Sequence, residues 1–142
     1  MRISKIIKDI DSYLEDLAEI LPNDEEELKR NKEKQYSTVF LVECVISGCI
    51  DLGFEIVSIL GLEYPATYKQ LFELLEKKKI ITKTVADKLK ELVGLRDIIA
   101  HHYTKIDTEL LFEKAKYMIE SGIIEKFLAQ IIKKLKDKNI GI

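Results

Sequence analysis

The sequence predicts an all-α fold, a small antiparallel bundle of about five helices built from a single domain over residues 1–142. Three observations predict it. Apolar residues recur at three- and four-residue intervals through most of the chain, the period of a helix with one buried face. Gly and Pro are scarce, 6 and 2 in 142 residues, so breaks are few. Hydrophobic content of 46% beside 34% charged residues is that of an ordinary globular chain, long enough to bury a real core. A net charge of -2 and a pI near 5.8 argue against nucleic-acid binding by bulk charge. Any RNA contact must be local, or made on a surface assembled from two copies.

The elements follow in order. Residues 2–21 set Ile3, Ile6, Ile7, Ile10, Leu14, Leu17 and Leu21 on one stripe, and Pro22 ends that helix. Asn23 with Glu26 reads as a capping box opening a second helix. Its first turns, Asp24 to Gln35, are almost wholly charged and are expected to project into solvent. From Val39 to Leu62 the same helix turns apolar nearly all round. Glu43, Asp51 and Glu55 make a membrane span costly, so no membrane association is expected. Such a helix packs on several sides, which in a small chain suggests a subunit interface as well as an internal core, with Gly48 and Gly53 admitting close neighbours. Thr67 with Gln70 opens a short third helix through about Lys79. Thr82 or Thr84 caps a fourth, and Asp107 or Thr108 caps one last helix running through Leu135.

Both histidines lie in one stretch, Arg96-Asp97-Ile98-Ile99-Ala100-His101-His102-Tyr103. Arg can grip phosphate with its forked donors, His can move protons near neutral pH, and Asp can orient an imidazole. On a helical wheel Arg96 falls in the middle of the apolar stripe of Leu89, Leu92, Val93 and Ala100, an expensive place without an anionic partner. Glu43, Ser47, Asp51 and Glu55 recur every four residues. They are either a wet stripe or carboxylates facing Arg96, with Asp51 the favoured partner. The plainer alternative is a structural Arg–Asp tie between helices.

Asp97 and His101 are neighbours along a helix, whereas Arg96 and His101 diverge by roughly 140°. The two would meet only if the helix loosened near His101, or if a second subunit brought its own copy across a two-fold axis. A homodimer is the favoured solution. Adjacent histidines cannot both face one metal, and Cys44 and Cys49 lack a ligand spacing. No metal or cofactor is therefore expected. Met1-Arg2-Ile3-Ser4-Lys5 opens directly into the amphipathic pattern, and the cysteines read as small buried side chains, so a cytoplasmic location is expected.

The spacing Arg-x4-His-x-Tyr resembles that of the HEPN ribonucleases, and within them of the HepT toxins. The likeness extends over residues 40–107 through Ile50-Asp51-Leu52, Gly61-Leu62, Pro65, Tyr68, Phe72-Glu73-Leu74-Leu75, Ile80-Ile81, Val93-Gly94-Leu95-Arg96-Asp97 and His101-His102-Tyr103. Asp97 departs from the Asn common in this group, and Ser47 stands where a longer polar residue is expected. The resemblance implies a homodimer whose two motifs line a shared cleft and cleave RNA without a metal. His101 would be the general acid/base, Arg96 the phosphate stabiliser and Asp97 the residue tuning both, with Asp51 and His102 in support. It also implies a toxin silenced by a minimal, MntA-like nucleotidyltransferase antitoxin that adds AMP to Tyr103. The competing expectations are a non-catalytic nucleotide-binding module and a helical interaction dimer.

Overall fold

The computed structural model describes the backbone of residues 2–101 and 106–142, and the side chains of all of these except 97–101. Among the described residues the chain is all-helical: α1 (Arg2–Ile20), α2 (Glu25–Lys29), α3 (Lys32–Ile59), α4 (Tyr68–Lys77), α5 (Lys83–His101), α6 (Thr108–Glu120) and α7 (Ile123–Asp137).

The first stripe forms α1, which buries Ile3, Ile10, Leu14 and Leu17 along α3. Gly48 of α3 faces Ile10 of α1. A Cβ there would lie 2.6 Å from Ile10 Cγ1, so only a residue without one lets this pair approach so near. Gly53 does the same for α4, where an added Cβ would stand 2.9 Å from Leu71 Cδ2.

Much of the apolar circumference of α3 is buried within one chain. It is the central rod of the bundle, touched by α1, α2, α4, α5 and α6. Most of its surface is covered within the protomer, as the expected internal core requires, while Tyr36 and Phe40 on its outer side stay 63% and 62% exposed. Its outward strip carries Phe40, Asp51 and Ser58, all exposed.

Two expected helices are each divided. The second does not run unbroken from Asn23. Asp24, rather than Asn23, caps a single turn by accepting from the Glu27 amide at 2.9 Å, and Arg30 closes it. Asn31 then caps α3 by accepting from the Lys34 amide at 3.0 Å. Nor does this charged stretch stand off in solvent. Leu28 is fully buried, the Thr108 hydroxyl donates to Glu25 Oε1 at 2.9 Å, and Gln35 Nε2 donates to the carbonyls of Leu28 and Lys29.

The last helix breaks at Ser121-Gly122, where Gly122 takes φ +72°. That left-handed conformation is cheap only for glycine. The turn lets α7 fold back and bury Ile123, Ile124, Phe127, Leu128, Ile131 and Leu135. Phe127 meets Phe72 of α4 edge-on, with centroids 6.1 Å apart.

The remaining caps stand where the residue types place them. Thr67 accepts from the Gln70 amide at 3.1 Å, Thr82 from Val85 at 3.4 Å, and Asp107 from Leu110 at 3.0 Å. No described helix is long and apolar enough to cross a membrane.

Candidate functional site

Arg96 lies near the C-terminal end of α5, which packs on α3, α4 and α7. The helix buries Leu89, Leu92, Val93 and Leu95, and this packing holds Arg96 half-buried at the α3–α5 seam. Its surroundings resolve the cost that the apolar stripe implies. The guanidinium carbon stands 5.1 Å from the centroid of the Tyr68 ring, and Nη1 donates to Ser47 Oγ at 3.4 Å. An aromatic face and a hydroxyl stabilise an arginine without cancelling its charge. The hydrogen bond is long and its acceptor neutral, so neither contact competes strongly with an arriving anion.

The expected Asp51–Arg96 pair is not what the protomer contains. Asp51 is exposed on the outer face of α3, and it is Ser47, one turn earlier, that reaches Arg96. The four-residue stripe divides its work. Glu55 Oε1 accepts from Arg2 Nε at 2.6 Å, tying the start of α1 to α3. Glu43 acts with partial burial, the larger cause, to raise the Cys44 thiol pKa. Cys49 is buried and its thiol is pushed up to about 12. It stays protonated at neutral pH and has the character of a packing residue.

The backbone remains helical through His101. The helix therefore does not loosen ahead of His101, and the positions of Arg96 and His101 keep the roughly 140° divergence of five helical residues. The side chains of Asp97 and His101 lie outside the described residues, as do His102 and Tyr103 altogether.

Beside Arg96 the fold assembles something spacing did not reveal. Phe54 of α3 holds Tyr64, with centroids 5.6 Å apart and planes at 34°. It also meets Tyr68 edge-on, at 6.4 Å and 73°. Tyr64 and Tyr68 remain 62% and 42% exposed, so both present aromatic surface to solvent, Tyr68 directly beside the guanidinium and Tyr64 joined to Tyr68 through Phe54. In the sequence Tyr68 stands out through the family resemblance, but nothing local ties it or Tyr64 to a motif some thirty residues later.

Comparison with known proteins follows the same lines. A family model described as "Ribonuclease HepT-like" matches residues 10–137. The mRNA nuclease HepT of Shewanella oneidensis is 27% identical over 105 residues, covering 74% of this chain and 77% of that protein. The tri-AMPylated Shewanella oneidensis HEPN toxin, solved in complex with an MNT antitoxin, superimposes with a TM-score of 0.82 at 24% identity, over 92% of this chain and 96% of that one. YutE of Bacillus subtilis, a cytosolic protein of unknown function, gives 0.79 at 19% identity over 98% and 94%. At these identities the two structures speak for the fold.

Proposed function

The chain belongs to the ribonuclease HepT-like family, and from that premise we propose that it is a toxin-type endoribonuclease working without a metal. The observation that carries this reading is Arg96, half-buried and, among the described residues, held by a ring face and a neutral hydroxyl, five residues ahead of His101 on one helix.

The chemistry needs little else. A ribose 2′-hydroxyl is an internal nucleophile already beside its phosphate, so proximity is supplied by the substrate. His101 takes the 2′-proton and a histidine returns one to the departing 5′-oxygen, leaving a 2′,3′-cyclic phosphate and a free 5′-hydroxyl. Arg96 offsets the charge that gathers on the non-bridging oxygens of the pentacoordinate phosphorus. Asp97 tunes or orients these groups, with His102 in support. Because Arg96 and His101 diverge on a continuous helix, the cleft is shared by two copies of the chain in a homodimer, each motif contributing across the two-fold axis. Asp51, exposed in the protomer, would then support Arg96 from across the two-fold axis.

The regulatory half of the proposal draws on the Shewanella toxin, which is described as AMPylated and bound to an antitoxin. A nucleotidyltransferase partner adds AMP to Tyr103, two residues beyond His101. A bulky anion there fills the cleft and repels RNA phosphate.

Cleavage by the purified protein in EDTA tests the enzyme. Wild type is expected to cut cellular RNA, and Arg96→Ala and His101→Ala to lose at least about 100-fold in rate while retaining native helicity. Affinity for nucleotides with no turnover on messenger or transfer RNA, from protein whose Tyr103 is unmodified by mass spectrometry, would replace the enzyme with a nucleotide-binding module.

A further inference from the structure

We propose that Tyr68 and Tyr64 form a base-stacking subsite beside Arg96, seating unpaired bases of single-stranded RNA next to the phosphate that Arg96 holds. The proposal deepens the ribonuclease reading and rests on it for the identity of the ligand.

Four observations converge on it. The two rings are large, apolar and 42% and 62% exposed, although α4 is already anchored by Leu71, Phe72 and Leu75, all fully buried. The fold does not need them outside. Their placement is also fixed: Phe54 braces both, at 5.6 Å and 6.4 Å, so their orientation is settled before a ligand arrives and little ordering entropy is lost on binding. The guanidinium lies 5.1 Å from the Tyr68 centroid, which puts a phosphate-binding group and an aromatic surface within one nucleotide of each other. Finally, the chain carries a net charge of -2, so affinity for a polyanion cannot come from bulk charge. Stacking is the sequence-tolerant alternative, because every base has a π-face. Tyr68 takes the base attached to the phosphate at Arg96, and Tyr64 takes the next one along the strand. An aromatic strip of this kind selects unpaired RNA, since bases in a duplex have no free face to offer.

The chain contains no Trp, so Tyr64→Trp places a single fluorescent reporter in the subsite. The probes are a short 2′-O-methyl oligonucleotide, which binds but cannot be cut through a 2′-hydroxyl, and its abasic counterpart with the same phosphates. The base-bearing strand is expected to quench the reporter and the abasic strand to leave it bright. Tyr68→Leu should weaken binding roughly 5- to 100-fold, the loss of one stacked base, and Tyr68→Phe should retain wild-type affinity. On cleavable RNA, Tyr64→Ala should raise KM with little change in kcat.

Equal quenching by both strands, or unchanged affinity in Tyr68→Leu, overturns the subsite even if the protein cleaves RNA. Base-dependent quenching by a protein that cuts no RNA upholds the subsite and overturns the ribonuclease. Loss of self-association in Tyr64→Ala, with base dependence intact in neither strand, assigns the rings to a protein interface and overturns the proposal.

Discussion

Arg96 shows how neutral groups can support a charged side chain on an apolar helix face. A ring face at 5.1 Å and a serine hydroxyl at 3.4 Å support the guanidinium in one place, and its charge remains for a ligand. Tyr68 is thus a positioning residue for Arg96 as well as surface for a base. Asp51 is exposed and makes no comparable contact among the described residues. Asp51→Asn is expected to shift stability by less than about 0.5 kcal/mol, as surface changes away from structural features do; thermal melting checks this. A drop in RNA cleavage by the same variant, with its melting unchanged, would mark Asp51 as acting on the partner's motif.

At the scale of elements, the closeness of α1, α3 and α4 is bought by glycine in the middle of a helix. Gly48→Ala would gain about 1 kcal/mol of helix propensity but drive a Cβ to 2.6 Å from Ile10 Cγ1. Ile10 is fully buried and cannot step aside cheaply. Overpacking of this sort costs about 1–3 kcal/mol, so a net loss of stability is expected in denaturant unfolding. Gly94 on α5 provides the contrast, since a Cβ there meets nothing within 4 Å in the protomer. Gly94→Ala should stabilise the folded chain by about 0.5–1 kcal/mol. If it instead weakens self-association in sedimentation, a second copy approaches α5 at that point.

For the whole molecule, the continuous helix through His101 makes a strong demand on assembly. A regular helix turns positions 96 and 101 about 140° apart around its axis, so a site using both residues is expected to draw them from different chains. Co-refolding Arg96→Ala with His101→Ala checks this. Mixed dimers retain one arginine and one histidine on opposite chains, and should recover a substantial share of wild-type cleavage, whereas each variant alone stays inactive. No recovery would mean that one chain supplies both groups. Silencing belongs to the same scale. With the nucleotidyltransferase present, wild type should gain AMP by mass spectrometry and lose cleavage, and Tyr103→Phe should escape both.

Much of this molecule was legible from residue types alone, because the forces involved are local. The stripe of α1, the caps at Thr67, Thr82 and Asp107, and the burden of an arginine among Leu89, Leu92 and Val93 all act within a turn or two of chain. The same locality misled where two helices were read as one. Leu28 is the lone apolar residue in its charged run, too little to show that the run folds back and caps anew at Asn31. Ser121-Gly122 interrupts a hydrophobic period that resumes almost in phase. Other facts were decided only by tertiary structure. That α3 is wrapped by five helices of its own chain, that Ser47 rather than Asp51 meets Arg96, and that Phe54, Tyr64 and Tyr68 gather beside it are contacts between residues far apart in sequence. Spacing along one helix says which face a side chain occupies, but what waits opposite that face is set by how the helices pack.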